Sequence, residues 1–182
     1  TSGAMPAGAA SRPFNGGTLW ISNDGLIGIT TPDGTGTLRV STAAPTPIEA
    51  IVVDAENNGQ QQLIVSDGRS AHLYILIHCW ISETYDSQGE PFIFDLQNLR
   101  GRGTGVGCQD LGDGQHLVAL QALPDGGGYV VNRTAIRMEG TTALRGPSDS
   151  VPGTSLQDPV VAAAMTITCG SQSIGADGVR QP

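Results

Sequence analysis

Short apolar runs separated by turn residues recur along this chain of 182 residues. The strongest three lie in its middle, at residues 48–53 (IEAIVV), 63–66 (LIVS) and 71–79 (AHLYILIHC). Runs of about four to eight aliphatic and β-branched residues bounded by Gly, Asp, Asn or Pro are typical of strands, and Asp-Gly turns between them are typical of hairpins. The pattern predicts an all-β fold built from antiparallel sheets.

The second half of the chain continues this pattern, except in two segments whose composition differs. Residues 99–107 (LRGRGTGVG) are rich in glycine, which in a strand marks a bulge or a close approach of backbone. Residues 160–169 (VVAAAMTITC) admit a helix over the alanines, but β-branched residues flank them and Pro159 precedes them. We predict a strand there. Clearer strands are predicted at residues 92–96, 117–123 and 129–138.

Both ends of the chain differ from its middle. Residues 1–17 are small and polar and are broken by Pro and Gly, which predicts a flexible leader suited to tethering the protein. Residues 170–182 predict a flexible tail. The intervening residues 18–169 are expected to form one all-β domain, since that length can bury a substantial core.

Two segments inside this domain resemble each other. Residues 48–68 and 103–123 share an apolar run, an aspartate, a short loop of Asn, Asp and Gly, a Gln-rich step and a second apolar run. The aspartates that open the loops are Asp54 and Asp110. The spacing predicts repeat units at about residues 48–102 and 103–150, stacked as supersecondary units.

The first loop, with the sequence DAENNG from Asp54 to Gly59, resembles the FG-GAP or VCBS-type repeat of integrin-alpha-like proteins. The second, DLGDG from Asp110 to Gly114, resembles it less closely. The resemblance implies propeller-blade-like sheets in a small or incomplete propeller. A β-sandwich or barrel that uses the same loop is the alternative, because propellers typically need about four to eight blades and this chain holds about three repeats.

The resemblance also implies a calcium site at the first loop. Asp54, Glu56 and Asn58 alternate as oxygen ligands would, and Gly59 allows the sharp turn. Gln62 stands where the family carries a carboxylate, so weak binding is expected at most. A hydrogen-bonded Asx turn without metal explains the same residues. No other cofactor is expected.

Composition narrows the class of partner. The net charge is −8, which disfavours nucleic acid, and all nine basic residues are arginine. The absence of lysine suits a high-GC genome, and the chain resembles uncharacterised exported proteins of mycobacteria and related actinobacteria. No apolar run approaches the roughly 18 residues expected of a membrane span, so any membrane contact is expected through a lipid anchor before the leader.

The three cysteines favour an oxidising compartment. We predict a disulfide between Cys79 and Cys108, which would join the longest apolar run to the glycine-rich segment. Cys169 is the alternative partner for either of them, and three free thiols are the remaining alternative.

Catalytic patterns are weak. The chain has no GxSxG motif, and His78 and Cys79, as neighbours on a strand, would point to opposite faces. We expect no catalytic residues and a secreted or cell-envelope module that binds a protein or an envelope component. A homo-oligomer would supply further sheets. The alternative function is an exported hydrolase or a small-ligand-binding domain.

Overall fold

The computed structural model describes residues 4–41, 47–96 and 103–182. Strand accounts for 58% of the structure and helix for 5%, so the predicted all-β class with antiparallel sheets is confirmed. No sheet in the described part closes into a barrel, and the arrangement is consistent with blades or with a sandwich-like stack.

Three sheets each run as a meander, in which every strand pairs antiparallel with the next along the chain. The first sheet consists of β1 (Ala10–Phe14), β2 (Gly17–Ile21), β3 (Ile27–Thr31) and β4 (Gly34–Leu38). The middle sheet consists of β5 (Glu49–Val53), β6 (Gln62–Ser66), β7 (Ser70–Ile77) and β8 (Trp80–Glu83), and β9 (Ile93–Asp95) also pairs with β7. The third sheet consists of β10 (Gly103–Asp110), β11 (Gln115–Asp125), β12 (Gly128–Glu139) and β13 (Thr142–Gly153).

The chain then returns across the sheets in short elements. These are α1 (Pro159–Ala163), β14 (Thr168–Cys169), β15 (Gln172–Ser173), α2 (Ile174–Asp177) and β16 (Val179–Arg180). The last of them, β16, joins the edge of the middle sheet beside β5, where Val179 pairs with Ala50. The final segment is therefore part of the folded domain.

The sheets stack face to face with the middle sheet between the other two. Leu63 and Val65 pack with Leu19 of the first sheet, whereas Ile64 packs with Leu117 of the third. Alternate residues of a strand point to opposite faces, so a strand that is buried on both sides is apolar at consecutive positions. This double burial is why the middle strands appear in the sequence as unbroken apolar runs.

The two outer faces of the stack are covered by different groups. On the third sheet, α1 covers the outer face, and its Val161 packs with Val118. On the first sheet, the outer face carries Thr18 and the buried Trp20, whose indole N–H donates to Thr30 at 3.1 Å. In the ranges that the structure covers, neither outer face is a bare apolar sheet.

The predicted repeat units correspond to sheets. Strands β5 to β8 fall within residues 48–102, and β10 to β13 begin the second unit at Gly103 and run a little past its predicted end at residue 150. Residues 97–102 lie outside the described part of the chain. The first sheet is a further meander of the same kind, and no repeat unit was predicted there.

The predicted boundaries at the two ends are wrong. Strand β1 lies inside the predicted leader, residues 1–17, and β15, α2 and β16 lie inside the predicted tail, residues 170–182. The first three residues are outside the described part. Both segments are ordered by partners that are distant in the sequence, and a local pattern of small, polar and glycine residues does not reveal such partners.

The strand predicted at residues 160–169 is also wrong over its first half, which forms α1. Asp158 caps this helix by accepting a hydrogen bond from the Val160 amide, and Pro159 occupies a first-turn position where its missing N–H costs nothing. The glycine-rich segment does mark a close approach: a Cβ at Gly105 would lie 2.6 Å from the Thr166 carbonyl oxygen.

The predicted Cys79–Cys108 disulfide is wrong. Cys108 of β10 is bonded to Cys169 of β14, and Cys79 is a free thiol in the turn between β7 and β8. The returning chain places β14 beside β10, where the Val106 amide donates to Thr166 O at 3.0 Å. The position of Cys169 next to Cys108 depends on the path of the chain after β13. The spacing of the cysteines in the sequence could not reveal this pairing.

Candidate functional site

The turns that join the first two strands of each sheet meet at one end of the stack, which we call the loop end. Gln61 Nε2 donates to Asn15 O at 2.9 Å, which links the middle sheet to the first. Gln115 Nε2 donates to Ala55 O at 3.1 Å, which links the third sheet to the middle one. The three turns therefore form one continuous surface across the stack.

The first Asp loop, residues 54–59, is an internally hydrogen-bonded turn. Asp54 Oδ1 accepts from the Asn58 amide at 3.1 Å, and its Oδ2 accepts from the Gly59 amide at 2.9 Å. Asn57 has a φ of 51° and Gly59 a φ of 83°, so the loop enters the left-handed region twice. The carboxylate holds that shape by satisfying main-chain donors.

The three predicted calcium ligands have different partners in this loop. Asp54 is bonded to main-chain amides, Asn58 Oδ1 accepts from Gln60 N at 3.0 Å, and Glu56 turns to His116 on the third sheet. Among the described residues, no group of three or more His, Cys, Asp or Glu side chains is arranged to hold a metal. This arrangement does not fit a calcium ion, and calcium binding at Asp54, Glu56 and Asn58 stays a prediction.

The second Asp loop, residues 110–114, occupies the equivalent place between β10 and β11. Asp110 Oδ1 accepts from Gly112 N at 2.7 Å and from Gly114 N at 3.2 Å. An aspartate that opens the loop and accepts two of its amides is therefore common to both loops.

A largely buried contact between His116 and Glu56 joins the two Asp loops. His116 Nδ1 contacts Glu56 Oε2, and His116 Nε2 lies 3.2 Å from Asp113 O and 3.5 Å from Asp113 Oδ2. The exposed fractions of the side chains are 10% for His116 and 13% for Glu56. The acceptors lie at opposite nitrogens of the ring, so they do not share a metal position. Among the described residues, neither nitrogen has a hydroxyl or thiol partner, which a nucleophile–base pair requires.

Sequence reasoning did not bring Glu56 and His116 together. The repeat could have indicated the contact, because equivalent loops of stacked units are neighbours at one end of the stack. Using that signal would have required knowing that the two sheets stack with their first loops on the same side.

A cleft of about 460 Å³ opens at the loop end between the first and middle sheets. We call it the loop-end cleft. Its apolar floor is formed by the buried side chains of Leu19 and Val52. Its other lining residues come from the β1–β2 hairpin, the first Asp loop and the C-terminal elements: Arg12, Pro13, Phe14, Asn15, Gly16, Asp54, Gly59, Gln61, Gln172 and Asp177.

Arg12 is the cation of this cleft. It lies on the same face of β1 as Ala10 and Phe14, which both pack against the core between the first and middle sheets. Its Nε donates to Gly178 O at 3.1 Å, which fixes the side chain against the C-terminal segment. In the described parts of the chain, no carboxylate pairs with Arg12. Its segment was predicted to be a flexible leader, so Arg12 was not predicted as a site residue.

The tip of the β7–β8 hairpin lies at the same end. His78 has a φ of 56°, and its Nδ1 lies 3.0 Å from Asp33 Oδ2. Ile77 and Trp80 oppose each other across the two strands, and Trp80 is 71% exposed. A second cleft of about 320 Å³, which includes His78, shares Phe14, Gly16, Gly59 and Gln61 with the loop-end cleft. The two clefts adjoin at these shared residues.

No protein-family model, curated protein or solved structure gives a significant match to this chain. The resemblance of the first Asp loop to FG-GAP repeats therefore stays a prediction. Within the residues that the structure describes, no helix is long and apolar enough to cross a membrane.

Proposed function

We propose that the protein is an exported binding module of the bacterial cell envelope, without a catalytic role, and that the loop-end cleft is its ligand site. The observation that carries the proposal is a preformed cleft with an apolar floor, a polar rim and one guanidinium that no carboxylate of the described chain neutralises. Concave sites of this make-up are where proteins bind ligands.

The disulfide supports the exported part of the proposal. Cys108–Cys169 joins β10 to β14, and bonds of this kind persist in oxidising compartments. An actinobacterial origin and attachment through a lipid anchor belong to the same proposal, together with a protein or envelope component as partner. The actinobacterial origin rests on the arginine-only composition, and the exported location rests on the disulfide.

One observation favours an exported hydrolase as the second candidate. Asp54 and Asp177 both line the loop-end cleft, as the paired carboxylates of a hydrolase would. However, Asp54 accepts two loop amides, and Asp177 Oδ2 accepts from Ser173 N at 2.9 Å. Both carboxylates thus serve the local turns, which favours binding over catalysis.

Co-sedimentation with insoluble actinobacterial cell wall tests the proposal. We expect the protein to pellet with the wall and Arg12→Ala to weaken this retention by about tenfold, since a charged hydrogen-bond donor is lost. Arg69→Ala is the matched control, because Arg69 lies in the β6–β7 turn at the opposite end of the stack. Equal retention of both variants would place the binding surface elsewhere, and soluble products released from the wall would identify the hydrolase.

A further inference from the structure

We infer that the loop-end cleft takes a neutral polyhydroxylated ligand, a short saccharide chain, with Arg12, Gln61 and Gln172 as its hydrogen-bonding residues. This inference rests on the proposed binding function and names the ligand class of the same site.

The first support is the hydrogen-bonding capacity that the protein leaves unused in the cleft. Arg12 uses Nε for Gly178, and Gln61 uses Nε2 for Asn15. In the described structure, the two terminal nitrogens of Arg12, Oε1 of Gln61 and the side-chain amide of Gln172 have no protein partner. Donors and acceptors therefore line the same cleft, and a sugar hydroxyl, which both donates and accepts, can use either kind.

The second support is charge. The loop-end cleft holds one guanidinium and two carboxylates, those of Asp54 and Asp177, in a chain of net charge −8. A strongly anionic ligand would meet repulsion from the carboxylates and from the acidic surface as a whole. A simple cation would meet Arg12 at the same place. A neutral ligand avoids both penalties and still uses the polar rim.

The third support is the apolar part of the cleft. Leu19 and Val52 lie almost fully buried beneath the cleft, and the half-buried Phe14, which lines both clefts, adds apolar surface above them. The carbon-bound faces of sugar rings are apolar and pack on such surfaces, while their hydroxyls point to the rim. A site with an apolar base and a few placed polar groups matches this division.

Preorganisation is the fourth support. The Arg12 side chain is fixed by Gly178, the Gln61 amide by Asn15, and the first Asp loop by its own carboxylate. Side chains that are ordered before binding lose less conformational entropy when the ligand arrives. The two adjoining volumes of about 460 Å³ and 320 Å³ give room for more than one sugar unit.

The test is a glycan array probed with the full chain, carrying neutral glucans, mannans, galactans and arabinans beside anionic glycans and extended peptides. We expect retention on at least one neutral glycan, followed by titration calorimetry with the matching oligosaccharide. Arg12→Ala and Gln61→Ala should each weaken binding by about tenfold or more, and Arg69→Ala should leave it within about twofold. Thermal melting of every variant verifies that it is folded, and Arg12→Gln replaces Arg12→Ala if that variant does not fold.

Three outcomes would overturn the inference: no neutral glycan retained, preference for anionic glycans or peptides, or binding that the cleft variants leave unchanged. The failure of the inference can be told apart from failure of the proposed function. Wall retention that depends on Arg12 without any glycan binding would keep the module and reject the saccharide. Loss of both would reject the module itself.

Discussion

The two Asp loops have the same position and internal bonds, but they have different surroundings. In each, an aspartate at the end of the first strand of a sheet accepts two loop amides. The first loop belongs to the middle sheet, so it has a neighbour on each side: Asp54 and Gly59 line the loop-end cleft, and Glu56 reaches the third sheet. Among the described residues, the second loop has a neighbouring sheet on one side, the middle sheet, and its contacts there stabilise the stack. The same turn therefore lines a cleft in the first loop and not in the second, because the sheets beside the two loops differ.

The largest effect is expected from removing the disulfide that holds the third sheet two residues before the second Asp loop. Cys108 and Cys169 are separated by 61 positions, and the chain-entropy model gives about 4 kcal/mol for closing a loop of that size. Cys108→Ser with Cys169→Ser should lower the free energy of unfolding by roughly that amount, measured by urea denaturation. Cys79→Ser is the control and should change little, and a comparable loss in the control would contradict the assignment.

The next largest loss of stability is expected from removing the His116–Glu56 contact between the two loops. Glu56→Ala and His116→Ala each remove one partner of a largely buried hydrogen-bonded contact, so each should cost about 2 kcal/mol of unfolding free energy. A double-mutant cycle should show a coupling energy of about 1–3 kcal/mol, because the residues are in direct contact. If the two single effects simply add, the His116–Glu56 contact does not couple the loops, and the hydrogen bonds of Gln115 hold them together.

Replacing Asp54 or Asp110 should lower the free energy of unfolding by smaller and slightly different amounts. Asp54→Ala removes the acceptor of two exposed amides, but Asp54 itself is half-buried, so the change should cost about 1 kcal/mol. Asp110→Ala exposes its two amides to water and should cost about 0.5–1 kcal/mol. Thermal melting of both variants compares them directly. Equal losses would show that the neighbouring sheet does not protect the first loop.

The smallest effect is expected from calcium. Because Glu56 is turned to His116 and Asp54 to the loop amides, millimolar calcium should raise the Tm only slightly. Asp54→Asn should behave like the unmodified protein in this assay. A large rise that Asp54→Asn abolishes would show that the loop rearranges around the ion.

The sequence predicted what depends on neighbours along the chain. The all-β class, the middle strands and the two Asp loops each have a local signal: double burial makes residues 63–65 uniformly apolar, and Asp54 with Gly59 forms its own turn. The segment at Ala10–Phe14 has no such signal, since Arg12 and Pro13 interrupt its apolar positions.

The candidate site depends on contacts between distant parts of the chain. Arg12 meets Gly178 because β16 returns to the edge of the middle sheet, and Cys108 meets Cys169 because β14 lies beside β10. The helix α1 could have been predicted from the sequence. Asp158 and Pro159 are typical of a helix start, but the prediction gave more weight to the flanking β-branched residues.

The pairing of β16 with β5 has a consequence for the rate at which the protein folds. Val179 and Ala50 are far apart in the sequence, and Gln181 continues the contact by accepting from Ile48 N at 3.1 Å and donating to Asn23 O at 2.9 Å. Contacts between distant residues must close long loops before they contribute energy, so they slow folding. The middle sheet is complete only when Val179 and Arg180 pair with β5, so we expect the domain as a whole to refold slowly.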